Sequence, residues 1–262
     1  MADVCKVCED PLVLSLDLAD SDHEETTQET VPDDLLLSCG CHFHWQCLLD
    51  QASEVATDLK CPSCATYLLV TSTSAPPAGA SSSSSSSAPS QTTNSIPTRY
   101  TNEGGAEDNL DILPTLIEES YLAVHPEARP ARAMHTMISE GDVNGIVELL
   151  MDVDSDADVD TDAKQLLRWT DPLNGGKSAL HVAIEARQEE PFWLLLWLGS
   201  GMKGDFFPEE MRQVGLPRTE VAEEEDLRFI ADGEGRRPRD LLEGMGPPWS
   251  LYVEDWLFPS VA

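Results

Sequence analysis

Seven cysteines fall within the first 64 residues of this 262-residue chain, and none follows. In order they read Cys5-x2-Cys8, Cys39-x-Cys41, Cys47 and Cys61-x2-Cys64, with His44 three residues before Cys47. An odd number does not suit a disulfide framework, and CxxC pairs at both ends of the cluster point to metal. Cys5, Cys8, Cys39, Cys41, His44, Cys47, Cys61 and Cys64 make eight soft or borderline ligands, enough for two tetrahedral zinc ions with no cysteine left over. One zinc with surplus thiols is the alternative. With every position supplied by protein, both sites are closed and structural, leaving no place for an activated water. A second register, Cys39-x2-His42, uses His42 in place of Cys41. Phe43 lies between the ligands and is expected in a small core. Hydrophobic burial alone does not fold so short a stretch, so zinc supplies much of its folding energy.

The formal charge of -32, from 48 acidic and 16 basic residues, argues against nucleic acid and anionic membranes as partners. Only Lys6 and Lys60 are basic between Cys5 and Cys64, which disfavours a nucleic-acid-binding zinc module. The N-terminus has no basic stretch followed by an apolar run. The longest apolar segment, residues 192–198, is far shorter than the roughly 20 residues of a spanning helix. A reducing compartment, cytoplasm or nucleus, is expected.

Three regions follow from composition. Residues 1–70 hold the cysteines, interrupted by an acidic, Thr-rich stretch at 20–34 expected as a disordered loop. Residues 71–109, with PPAGA and the serine run 81–87, bury too little to offset ordering and are expected as a disordered linker. From residue 110 the period is helical: Leu110, Leu113, Leu116, Ile117 and Tyr121 recur at three- and four-residue intervals, with Pro114 near a helix start. Further helical units are expected over 132–151, turning at 140–142, over 178–199, and near 238–243. Trp249, Tyr252, Trp256 and Phe258 are expected to cover the open end of the helical stack. The alternating aspartates of 152–162 lack the glycine and closing glutamate of a calcium loop and read as a solvated acidic insertion.

The ligand order, with SCGCHFHWQC at its centre and LKCPSC at its end, resembles the RING finger family, in a variant with Cys41 where many members have histidine. The resemblance implies a small α+β cross-brace domain. Cys5, Cys8, His44 and Cys47 would hold one zinc, and Cys39, Cys41, Cys61 and Cys64 the other. It also implies ubiquitin transfer from a conjugating enzyme to a substrate lysine by positioning, without a nucleophile of the chain's own. Val7, Leu48 and Pro62 occupy the family's enzyme-binding places. Two departures are Gln51, where a groove tryptophan is common, and Ala65, where a basic residue follows the last ligand. No Ser-His-Asp set, Walker loop, HExxH or dinucleotide glycine pattern occurs.

Residues 176–183, GKSALHVA, resemble the turn and first helix of an ankyrin repeat, with weaker copies around His135 and at 235–240. That likeness implies an all-α repeat domain over 110–262, a structural His181 bonding backbone in the turn, and recruitment of a protein substrate. The two functions to separate are therefore a RING-type ubiquitin ligase and a zinc-stabilised protein-protein adaptor without ligase activity.

Overall fold

Leu35 and Leu37 are buried while Asp34 and Leu36, which alternate with them, are only partly covered, the period of a strand with one face on a core. In the computed structural model, which describes residues 4–16, 29–73, 92–155, 162–212, 216, 218, 221–254 and 256–258, this strand lies in the first of two units, Met1–Val124 and His125–Ala262. No helix among the described residues is long and apolar enough to cross a membrane.

The first unit is mixed α+β. Strand β1 (Val13–Leu16) pairs antiparallel with β2 (Glu29–Pro32). Next come β3 (Asp34–Leu37), β4 (His42–Phe43), helices α1 (Trp45–Leu49) and α2 (Ala52–Asp58), and the pair β5 (Val70–Thr73) with β6 (Thr92–Ser95). Strands β7 (Pro97–Asn102) and β8 (Gly105–Asp111) complete a four-stranded antiparallel sheet of order β4-β3-β7-β8. Helix α3 (Leu113–Val124) packs on α2. The core gathers Leu35, Leu37, Phe43, Leu48, Val55, Leu68, Ile96, Ile112 and Leu116.

These elements correct three expected boundaries. The linker expected over 71–109 begins and ends in strands, because Ile96, Thr98 and Tyr100 alternate inward and pair β7 with β3. Its serine run lies outside the described residues. In the acidic stretch 20–34, residues 29–32 form β2, and Asp33 is buried. The helix expected from residue 110 starts at Leu113 and belongs to the first unit; Leu110 lies in β8, and Ile117 faces solvent.

The second unit is helical. Helix α4 (Arg129–Glu140) stops at Gly141, whose φ of 82° provides the left-handed cap, and α5 (Val143–Ser155) returns antiparallel. Thus the acidic insertion expected over 152–162 starts as helix; residues 156–161 lie outside the described ones. Asp162 caps α6 (Ala163–Arg168) by accepting from the Gln165 N–H at 2.7 Å. A two-rung hairpin, β9 (Thr170–Asp171) with β10 (Lys177–Ser178), leads into α7 (Ala179–Glu185) and α8 (Glu189–Gly199). Helix α4 packs on α7, and α5 on α8. Short helices α9 (Glu209–Arg212) and α10 (Pro238–Glu243) follow, the latter against α7. His181 shares a capping box with Ser178, 2.7 Å from its hydroxyl, and its Nε2 lies 3.0 Å from the Arg236 carbonyl. Trp249, Tyr252 and Phe258 pack around Phe192, whereas Trp256 does not join them.

Buried His135 on α4 has neither ring nitrogen hydrogen-bonded among the described residues. Burial pushes its pKa down to about 4, with Asp171 pulling it up and Arg132 down. Folded His135 is therefore neutral through a range where the unfolded chain binds a proton. Its contribution to stability is full above the ordinary histidine value of about 6.5. That contribution is lost as pH falls towards the folded pKa, by about 3 kcal/mol. Amide exchange in α4 and α7 at pH 7 and pH 4 is expected to show a smaller acid loss in His135→Leu than in the parent. Equal losses would place the acid sensitivity elsewhere.

Candidate metal centres

Two turns of the same construction carry the outer cysteines. In one, Cys5 N–H donates to Asp10 O and Glu9 N–H to Cys5 O; in the other, Cys61 N–H donates to Thr66 O and Ala65 N–H to Cys61 O. Each turn is closed by a single bridge, Val4 with Pro11 and Lys60 with Tyr67. Each has a left-handed residue directly after its second cysteine, Glu9 at φ 65° and Ala65 at φ 58°. Between them, the β3–β4 turn carries Cys39 and Cys41 around Gly40, whose φ of 83° suits glycine. His44 and Cys47 come from the start of α1, three residues apart and thus on one helix face.

The fold gathers these residues into two groups, Cys5 with Cys8, His44 and Cys47, and Cys39 with Cys41, Cys61 and Cys64. Within each group all the ligand atoms lie within 4.8 Å of one another. A tetrahedral ion with sulfur at about 2.3 Å sets its ligand atoms roughly 3.8 Å apart, so the groups fit a chelated ion. His44 Nδ1 is 3.2 Å from Cys8 Sγ and 3.8 Å from Cys47 Sγ, which puts that nitrogen among the thiols. Its other nitrogen, Nε2, lies 2.9 Å from the Pro11 carbonyl and donates to it, which leaves the Nδ1 lone pair for a metal. Cys41 stands in the second group. His42 points to Asp34 instead, with Nδ1 2.8 Å from Oδ1, because alternation along β4 turns it away from buried Phe43.

The thiols are unequal. Burial pushes Cys5 up, but backbone N–H groups from Cys8, His44 and Val7 outweigh it and bring the pKa down to about 6. The Thr66 hydroxyl, 3.2 Å away, and the Thr66 backbone bring Cys64 to about 6. Burial and neighbouring thiols push Cys39 and Cys47 up to about 12. Each group therefore combines one thiol that readily ionises with a thiol whose charge a chelated cation would stabilise.

Sequence reasoning missed the residue that ties this region to the sheet. Asp33, only 3% exposed, accepts from Trp45 N–H at 3.2 Å and from the Tyr100 hydroxyl at 3.0 Å. Its carboxylate caps the start of α1 from 12 residues away, and no local capping motif announces it. Burial and Asp33 push Tyr100 up to about 12. Asp33→Ala leaves both donors without this acceptor and is expected to cost about 1–3 kcal/mol in the first unit. Denaturant melts read with Tyr100 ionisation check this: the Tyr100 pKa should fall in the variant.

Of the expected partner-facing residues, Val7 is 44% exposed and Pro62 half-buried, both on the cysteine turns. Leu48 is not available, since α1 turns it fully into the core. Comparison with protein-family models, curated proteins and solved structures finds no match to the chain.

Proposed function

We propose that the chain is a zinc-stabilised protein-protein adaptor, binding partners through both units. The observation that carries this reading is the completeness of the two ligand groups: four protein ligands each, with nothing left for a reacting molecule. The groups also interleave along the chain, the first taking Cys5, Cys8, His44 and Cys47, and the second taking residues on both sides of the His44–Cys47 pair. This order supports the cross-brace of the RING likeness. In the second unit, two helical hairpins with α4 on α7 and α5 on α8, and a His181 bonded within its turn, support the ankyrin likeness and a role in recruitment. The thiol chemistry suits a reducing compartment, cytoplasm or nucleus.

A second reading, RING-type ubiquitin transfer, is favoured by exposed Val7 and half-buried Pro62, each on one of two turns of matching construction. Buried Leu48, and Ala65 held in a left-handed turn where a basic residue would follow the last ligand, stand against it. Autoubiquitination of the metal-loaded full chain against a broad panel of conjugating enzymes separates the two. The adaptor reading expects silence. Ubiquitin chains that vanish in Val7→Ala would establish the ligase instead, and metal analysis showing no bound ion would remove both.

A further inference from the structure

Each ligand group presents one cysteine to the surface. Cys8 in the first group and Cys64 in the second are exposed, Cys5, Cys41 and Cys61 are buried, and Cys39 and Cys47 lie between these extremes. Coordination keeps a thiol deprotonated, so access and neighbours decide which sulfur an oxidant meets first. The two exposed sulfurs have different neighbours. Cys8 Sγ lies 3.2 Å from His44 Nδ1, which holds a lone pair, since the ring proton sits on Nε2 and goes to the Pro11 carbonyl. Cys64 Sγ instead lies 3.2 Å from the hydroxyl of exposed Thr66, which donates to a deprotonated sulfur. The thiols of Cys39, Cys41 and Cys61 all lie within 4.8 Å of Cys64 Sγ. Of these, Cys61 shares its turn, which Ala65 N–H closes by donating to Cys61 O.

An accessible thiolate, a hydroxyl donor beside it and a second thiolate within reach are the parts a peroxide-responsive site needs. We propose that Cys64 is a modification site for hydrogen peroxide, with Cys61 as the thiol that resolves it and Thr66 as donor to the departing oxygen. The Cys64 sulfur attacks one peroxide oxygen, so that an S–O bond forms and the O–O bond breaks. Sulfur gives up two electrons, and the departing hydroxide, held by the Thr66 hydroxyl, takes a proton from solvent and leaves as water. The Cys61 sulfur then attacks the sulfenic acid, an S–S bond replaces the S–O bond, and a second hydroxide leaves as water. Two thiolates, one peroxide and two protons thus give one disulfide and two waters. The sulfurs need only close from at most 4.8 Å to about 2.05 Å. The second group keeps Cys39 and Cys41 alone, too few to hold an ion, and the segment between Cys39 and Cys47 passes the loss to the first group. This rests on the reading of the two groups as metal sites, and holds for adaptor and ligase alike.

The test uses the zinc-loaded full chain, with its bound ions counted first. Hydrogen peroxide is added at one equivalent, metal release is followed with a chromogenic zinc indicator, and oxidised cysteines are mapped by mass spectrometry after alkylation. The first disulfide should join Cys61 and Cys64, with metal released in step, and a thiol reductant with added zinc should restore both. Thr66→Val should slow the peroxide step roughly three- to ten-fold. Its metal loss to a chelator without peroxide should keep the parent rate, whereas a merely structural Thr66 would change both. A first oxidation at Cys8, or at any cysteine other than Cys64, overturns the proposal. So does an unchanged peroxide rate in a Thr66→Val chain that keeps its ions. Should that variant fail to hold metal, the map of the parent chain decides alone. A parent with no bound ion before oxidation removes the metal reading itself, while bound ions with Cys64 untouched remove this site and leave that reading standing.

Discussion

Chelating metal from the full chain is expected to unfold the first unit and leave the second folded. The two cysteine turns are closed by one bridge each, and each brings its thiols to a separate ligand group completed from the β3–β4 turn or the start of α1, where a chelated ion would hold it. Structural zinc contributes about 10–16 kcal/mol in small zinc-dependent peptides. That matches or exceeds the roughly 5–15 kcal/mol by which whole domains are stable. The core of Leu35, Phe43, Val55 and Ile112 is therefore not expected to hold unaided. Amide exchange resolves the units: on chelation, protection at Leu35 and Phe43 should vanish while Leu180 and Ala183 keep theirs. Metal analysis should give two ions per chain, and Cys61→Ser, which strikes only the second group, should weaken the first ion as well. The coupling follows from the segment between Cys39 and Cys47, which carries ligands to both groups. Persistent protection at Leu35 and Phe43 after complete metal removal would mean that the ions are accessories to a self-sufficient fold.

The ligand groups were legible because CxxC and HxxC spacings bring two side chains to one point within a single turn, whatever surrounds them. Cys41 was favoured over His42 by the Cys41-x2-His44 spacing of the RING likeness, and the structure turns His42 to Asp34. Helices α4, α5, α7 and α8 were legible from their apolar residues and the ankyrin-like GKSALHVA, a likeness that also implied a structural His181 in its turn, whereas its Ser178 partner emerged only in the structure. The strands β6 to β8 did not. The inward residues of β7 include Thr98 and Tyr100, polar enough to pass for a solvated segment, and its partner β3 lies on the far side of the serine-rich interval of sequence. Leu48 misled for the opposite reason: position in a motif says which helix carries it, while burial depends on what packs there, here the same core as Ile112 and Leu116. Asp33 was silent because its partners, Trp45 and Tyr100, are brought to it by tertiary structure alone.

Asp226→Ala is expected to be among the most destabilising single changes in the second unit, at about 3–5 kcal/mol. Asp226 and Arg228 form an ion pair with only 2% and 8% of their side chains exposed. The carboxylate accepts from Arg228 Nε at 3.0 Å and Nη2 at 2.6 Å, and from the Gly201 N–H at 2.8 Å. From the other side, Arg228 Nη1 donates to the Leu257 carbonyl at 2.7 Å, next to Phe258 in the aromatic cluster. One pair thus joins the end of α8, the segment before α10 and the C-terminal turn. Removing the carboxylate strands a guanidinium that water cannot reach, and the cost is mainly that unpaired charge. The double variant Asp226→Leu with Arg228→Met takes both charges away and is expected to recover most of the loss, since two buried ions are expensive to desolvate. Thermal melts of the parent, both single variants and the double variant give the coupling directly. A double variant as unstable as Asp226→Ala would show that the Gly201 and Leu257 backbone bonds, rather than the charge pairing, hold these three segments together.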